Sequence, residues 1–359
     1  MFNTKANKEK LIDKYVGCLI GGAAGDALGY PVEFFDGDDI RARYGKNGIT
    51  EYKKKNGVAI VSDDTQMTLF TAEGLLESIS DKSKPFEFSR SLESIAHAYD
   101  AWFITQTESY PQNAFPYATR LMGFRELYSR RAPGGTCLSA LLARTKGIYS
   151  SIASPVNDSK GCGGVMRVAP IGLFMPCKAF SIEDCDMLAA EAAAVTHGHE
   201  LGYISAAGLA HIVRAVAIEG MTVEEATKDM IKTVGKLFSG ASEIGVFTDL
   251  MSRAAALAKA KCTDSHAIDQ LGEGWIGEEA LAISVFCAIR YSEDFEGALI
   301  ASVNHRGDSD STGAITGNIL GASLGASAIP EKFKKDLELF ELTKTLAEEL
   351  LESNVNIAK

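Results

Sequence analysis

Two short stretches of this chain combine carboxylates and hydroxyls in a way that suits cation binding. The first is Ser62-Asp63-Asp64-Thr65-Gln66, which precedes an apolar stripe at Met67, Phe70, Leu75 and Ile79. Ser62 fits a helix N-cap with both aspartates in the first turn, where the helix dipole favours negative charge. Alone, this pattern needs no function beyond capping. The second is Asn304-His305-Arg306-Gly307-Asp308-Ser309-Asp310-Ser311-Thr312, which opens another helical stretch. Together the two would supply four carboxylates and at least two hydroxyls. Such hard oxygen donors suit Mg²⁺ or Mn²⁺. Four carboxylates in one apolar-walled site repel each other unless cations neutralise them, and they could hold two metals roughly 3.5–4 Å apart.

Two further motifs carry polar chemistry. Gly161-Cys162-Gly163-Gly164-Val165-Met166-Arg167 follows Asn157-Asp158-Ser159-Lys160. Glycines let backbone N–H groups approach a diphosphate closely. The stretch lacks the GK[ST] of a Walker loop and the preceding strand of a Rossmann fingerprint, and a tight turn is the plainer alternative. In Thr196-His197-Gly198-His199 the histidines stand at i and i+2, which do not share a helix face, so a zinc pair is disfavoured. A substrate contact or a helix-end cap remains.

These residues need elements to position them. Helical periodicity predicts helices over Phe88–Thr107, Pro116–Tyr128, Ser181–Val195, Leu201–Ile218, Val223–Phe238, Ser242–Lys261, Glu278–Tyr291 and Pro330–Leu351. Capping patterns start two of them, at Ser181 and Thr222. Strand-like alternation is confined to Ile49–Tyr52 and Val58–Val61. Glycines recur every fourth residue at 17, 21, 25 and 29 and again at 313, 317, 321 and 325. Each set lies on one helix face. A helical glycine costs about 1 kcal/mol relative to alanine, so four on one face imply very close backbone packing. The expectation is an all-α chain forming one large domain over residues 1–359, without a linker or a solenoid repeat.

Composition agrees. The 359 residues are 46% apolar and 23% charged, ordinary for a globular chain able to bury a large core. Lys and Arg total 36 against 47 Asp and Glu, a net charge of −11 that disfavours general nucleic-acid binding. Val16–Ala24 and Ser311–Pro330 read as buried helices rather than a signal core or a membrane span, so no membrane partner is expected. Seven cysteines with no CxxC pair fit reduced thiols in a cytoplasmic protein.

The motifs GCLIGGAAGDALGYPVEF, SDDTQMTLFTAEGLL, GCGGVMRVAPIGL, THGHELGY and NHRGDSDSTGAITGNILGA occur in that order from residue 17 to about 321. In this combination the chain resembles the ADP-ribosylglycohydrolases. The resemblance implies a compact all-α fold with a binuclear Mg²⁺ or Mn²⁺ centre. It implies Ser62, Asp63 and Asp64 as one ligand group and Asp308, Asp310 and Ser311 as the other. Glu33 matches a glutamate facing the reacting sugar, Ser159, Lys160, Gly161, Gly163 and Gly164 match a phosphate-binding loop, and His197 matches a ligand-contacting histidine. Cys162 stands where some relatives have Asn. Catalysis would then rest on Glu33, Asp63 and Asp310, with Asp26 in a supporting part. Asp100 is either a carboxylate that receives a substrate guanidinium or an exposed helical aspartate.

The implied activity is metal-dependent release of ADP-ribose from an acceptor, first of all an arginine side chain of a modified protein. Serine or a small ADP-ribosyl conjugate is the alternative acceptor. A third reading is a binding or immunity protein acting against an ADP-ribosyltransferase. The six expected ligands argue against a catalytically dead binder, which gains little from keeping mutually repelling acids.

Overall fold

The computed structural model describes residues 5–111 and 119–357. Among the described residues fifteen α-helices follow one another: α1 (Lys5–Gly29), α2 (Gly37–Tyr44), α3 (Asp63–Ser78), α4 (Phe88–Thr107), α5 (Gly135–Arg144), α6 (Ala169–Leu173), α7 (Ile182–Ala194), α8 (Glu200–Arg214), α9 (Val223–Leu237), α10 (Ile244–Lys259), α11 (Asp264–Asp269), α12 (Gly277–Arg290), α13 (Phe295–Val303), α14 (Ser309–Leu324) and α15 (Phe340–Ile357). Strand pairing among them is limited to four isolated bridges, so the fold is all-α. The capping boxes at Ser181 and Thr222 form as expected.

The centre of the fold is the antiparallel pair α1 and α14, and the two glycine stripes are the reason it forms. Gly17 lies against Gly321, Gly21 against Gly317, Gly25 against Gly313, and Gly29 against Ser309. A Cβ at any of these glycines would sit inside contact distance of the opposing backbone carbonyl. Asn318 adds a buried hydrogen bond, its Nδ2 donating to the Cys18 carbonyl at 2.8 Å. This register sets the end of α1 beside the start of α14.

Three element expectations are corrected. Ile49–Tyr52 and Val58–Val61 form no strands; Val58 bridges back to Lys55, and Ala59 makes one bridge to Leu337. Each segment is too short and finds no neighbour to extend a ladder. Of the helix expected over Pro116–Tyr128, residues 116–118 lie outside the described residues, and the rest is two 3₁₀ turns, Arg120–Gly123 and Arg125–Tyr128, divided at a glycine. The helix expected from Pro330 begins only at Phe340, because Asp336 and Leu339 adopt left-handed φ of 63° and 59°. Val16–Ala24 is buried within α1. The stretch Glu200–Glu219 is long and apolar enough to cross a membrane, with mean hydropathy 1.5, but that window is wholly buried inside the fold.

Candidate active site

Both acidic motifs open helices, and α1 brings them together. Ser62 caps α3, its hydroxyl accepting from Asp64 N at 3.2 Å. Asp308 caps α14, accepting from Ser311 N at 3.3 Å. Asp26, in the last turn of α1 and fully buried, accepts from Ser62 N at 2.9 Å and from Thr65 N at 3.0 Å, and the Thr65 hydroxyl also donates to it. The supporting part expected of Asp26 is therefore concrete: it ties the α3 start to the α1–α14 pair. A 3₁₀ turn, Tyr30–Val32, then leads from α1 to Glu33.

Glu33, Asp308 and Asp310 each offer an oxygen within 4.8 Å of the others, and all three are buried. Asp63 and Asp64 stand outside this tight trio, but their charges act on it. Burial, then Asp308 and Asp63, push the Glu33 carboxyl up to about 9. Burial, then Asp64, Asp308 and Glu33, push Asp310 well above the usual carboxylate range. Burial, then Asp63, does the same to Asp64, and burial raises Asp63. Glu33 Oε2 and Asp64 Oδ2 are buried with no hydrogen-bond partner. Orphaned carboxyl oxygens beside other carboxylates are donors that suit a hard divalent cation, so the residues fit such a metal. Sequence reading kept Glu33 apart from the expected ligand groups; the fold sets its carboxyl beside those of Asp308 and Asp310.

A pH dependence follows. In the metal-free protein these acids hold protons that the unfolded chain releases above about pH 4. Their contribution is complete at low pH and is lost as pH rises toward the folded Glu33 value of about 9. Mg²⁺ is therefore expected to raise the melting temperature more at pH 8 than at pH 5. Glu33→Gln should flatten the metal-free decline. Melting curves in EDTA and in Mg²⁺ read both, and equal Mg²⁺ effects at the two pH values would refute the coupling.

The glycine loop lies on the other side of Asp308. Cys162 Sγ donates to Asp308 Oδ2 at 2.7 Å, and burial, then Asp308, push its thiol up. Gly161 N donates to Ser159 Oγ at 3.3 Å, and Ser159 Oγ meets Thr136 Oγ1 at 3.1 Å. Lys160 reaches Glu278 at 2.5 Å. In the segment Arg131–Thr136, Gly134 N donates to Asp63 Oδ2 at 3.3 Å, and Gly134 stands at the N-cap of α5. The helix-end cap expected of the histidine pair falls to His199. His199 caps α8, its Nδ1 accepting from Leu201 N at 3.1 Å. His197 packs against Gly161 and Gly163.

Asp100 is not brought to the acids. Both its oxygens accept from Arg144, at 2.9 and 3.0 Å, and this pair is largely buried between α4 and α5. It is neither exposed nor open to a substrate guanidinium, which corrects both expectations. Sequence reading also missed the segment 273–278. Glu273 O accepts from Asp308 N at 2.8 Å, Trp275 O accepts from Cys162 N at 3.1 Å, and the Trp275 ring stacks on exposed Phe34 at 5.8 Å. Its only sequence signal is the glycine pair 272 and 274, both at positive φ.

Fold and site define a class: an all-α protein whose buried polyacidic cluster is framed by two helix starts. The chain belongs to the ADP-ribosylglycohydrolase family, whose model matches residues 7–357. Its activity class is thereby ADP-ribosyl hydrolysis. It is 28% identical to an uncharacterised protein of Archaeoglobus fulgidus, over 97% of this chain and 99% of that one. It is 23% identical to ADP-ribosylhydrolase ARH3 of Mus musculus, over 94% of this chain and 91% of that one. A solved structure described as an ADP-ribosylglycohydrolase-related protein complex superposes with a TM-score of 0.63 at 24% identity, covering 96% of this chain and 99% of that chain.

Proposed function

We propose that this chain cleaves the glycosidic bond between ADP-ribose and an acceptor on a modified protein, an arginine side chain being the first acceptor to test. The observation that carries the reading is the buried trio Glu33, Asp308 and Asp310 with orphaned acid oxygens beside it. Asp308, Asp310, Ser311, Ser62, Asp63 and Asp64 would hold two Mg²⁺ or Mn²⁺ ions, with Glu33 alongside. Bound there, the cations offset the acids, orient ribose hydroxyls and acidify water.

The chain's own residues do the rest. Glu33, with one free oxygen, orients the attacking water and takes its proton. Asp63, fixed by Gly134 N–H, and Asp310 face the positive charge that grows on the anomeric carbon and stabilise it. The Ser159–Gly164 loop holds the diphosphate through backbone N–H groups. The Phe34–Trp275 stack borders this region and shapes its rim.

A second acceptor class has specific support. With Asp100 engaged by Arg144, the carboxylate expected to receive a guanidinium is occupied, which favours serine or a small ADP-ribosyl conjugate. The seven free cysteines support a cytoplasmic setting. Release of ADP-ribose from ADP-ribosylarginine and ADP-ribosylserine peptides, with Mg²⁺ and then EDTA, tests the reading. EDTA-sensitive release from one peptide names the acceptor. No release from either, nor from a small conjugate such as O-acetyl-ADP-ribose, overturns the hydrolase assignment.

A further inference from the structure

Arg167 is the most deeply buried cation in the fold's interior near the site, and neither the acid cluster nor any carboxylate contact explains it. Its side chain is fully buried and stacks over Tyr99 at 4.1 Å. Nη1 approaches the Cys137 and Met67 sulfurs, Nη2 donates to Ala192 O at 3.2 Å and to Thr196 Oγ1 at 2.7 Å, and Nε has no partner. Thr196 is equally buried, and its Oγ1 lies 2.8 Å from His197 Nδ1.

The direction of these bonds is fixed by chemistry. A guanidinium only donates, so the Thr196 oxygen accepts from Arg167. The one hydroxyl proton of Thr196 then chooses among His197 Nδ1 at 2.8 Å, Ala193 O at 3.4 Å and the neighbouring Cys137 sulfur, a weak acceptor. The shorter contact makes Nδ1 the acceptor. A neutral imidazole carries its proton on the other nitrogen, here Nε2. Burial, then the Arg167 charge, pull His197 down to about 3, which keeps the ring neutral.

Nε2 has no hydrogen-bond partner among the described residues, although His197 is only 2% exposed. It faces the glycine loop: a Cβ built on Gly161 or on Gly163 would stand 3.3 Å from it. The missing side chains leave open the space into which that N–H points.

We propose that Arg167 and Thr196 are positioning residues that lock His197 with its proton on Nε2, and so fix the donor that the family resemblance already sets against a ligand on the Ser159–Gly164 loop. The ligand half rests on the proposed function; the lock does not. Nitrogen shifts of ¹⁵N-histidine protein, with the His197 signals assigned from a His197→Gln sample, report the tautomer directly. The expected pattern is a protonated Nε2 and an accepting Nδ1. Thr196→Ser should keep it. Thr196→Val, or Thr196→Ala if the first folds poorly, should give a mixed tautomer. The same variants should weaken ADP-ribose binding about tenfold and raise KM more than they lower kcat, with Thr196→Ser restoring both.

A protonated Nδ1 in the unaltered protein overturns the lock. An unchanged ADP-ribose affinity in a folded Thr196→Val protein that has lost the tautomer overturns the positioning role. If the unaltered protein binds no ADP-ribose, the diphosphate reading of the loop fails, and the nitrogen shifts still decide for or against the lock.

Discussion

Asp310→Asn is expected to move activity and stability in opposite directions. Removing one carboxylate from the buried trio weakens cation binding and the electrostatic support of the growing positive charge. Losing one such preorganised group lowers kcat by about 10²–10³-fold. The same change removes the cost of burying or protonating that carboxyl beside Asp64, Asp308 and Glu33, a cost the unfolded chain does not meet. The amide keeps the oxygen that accepts from Ser311 N at 3.0 Å. In EDTA the variant should therefore melt higher than the unaltered protein at pH 8, and Mg²⁺ should no longer raise its melting temperature appreciably. Peptide-release kinetics and paired melts measure both signs. Retained kcat, or a lowered metal-free melting temperature, would remove Asp310 from the proposed centre.

The second large effect concerns the scaffold. Gly317→Leu would drive a side chain into the Gly21 carbonyl and the Gly22 amide, both backbone atoms that cannot rotate away. The helices must separate or tilt, and the cost should be on the order of 3–5 kcal/mol, at the upper end for single substitutions. Thermal unfolding should fall by roughly 10 °C, or soluble protein should be lost. Gly240→Ala is the control, because nothing lies within 4 Å of its Cβ position; it should change stability by less than about 0.5 kcal/mol. A melting temperature for Gly317→Leu equal to that of the control would sink the close-packing account.

The centre of the fold could be read from residue spacing because glycine at every fourth position has few other physical uses. The stripes implied close packing, and the two acidic helix starts together implied one site with four carboxylates. Capping chemistry is local, so the Ser62, Ser181 and Thr222 caps were visible as well. Partner choice across the fold is not local. Asp100 finds Arg144 through the packing of α4 on α5, and no spacing rule announces that pair. Glu33 joins Asp308 and Asp310 because a 3₁₀ turn bends the chain after α1. The loop carrying Trp275 reaches the glycine loop through backbone hydrogen bonds, which any sequence can make. The helix misread after Pro330 fails for the same reason: two left-handed residues are a tertiary outcome.

The α1–α14 pair also sets an order of events during synthesis. Its contacts join residues 300 or more positions apart, as Cys18 and Asn318 do. Until α14 has left the ribosome, the glycine face of α1 has no mate and Asp26 helps frame only half of the acidic cluster. A nascent chain that has not yet reached residue 325 therefore cannot assemble Glu33 with Asp308 and Asp310 in their final setting. Long-range closure of this kind is slow and leaves apolar surface waiting. The last quarter of translation, rather than the first, is thus the step at which this chain acquires both its core and its chemistry.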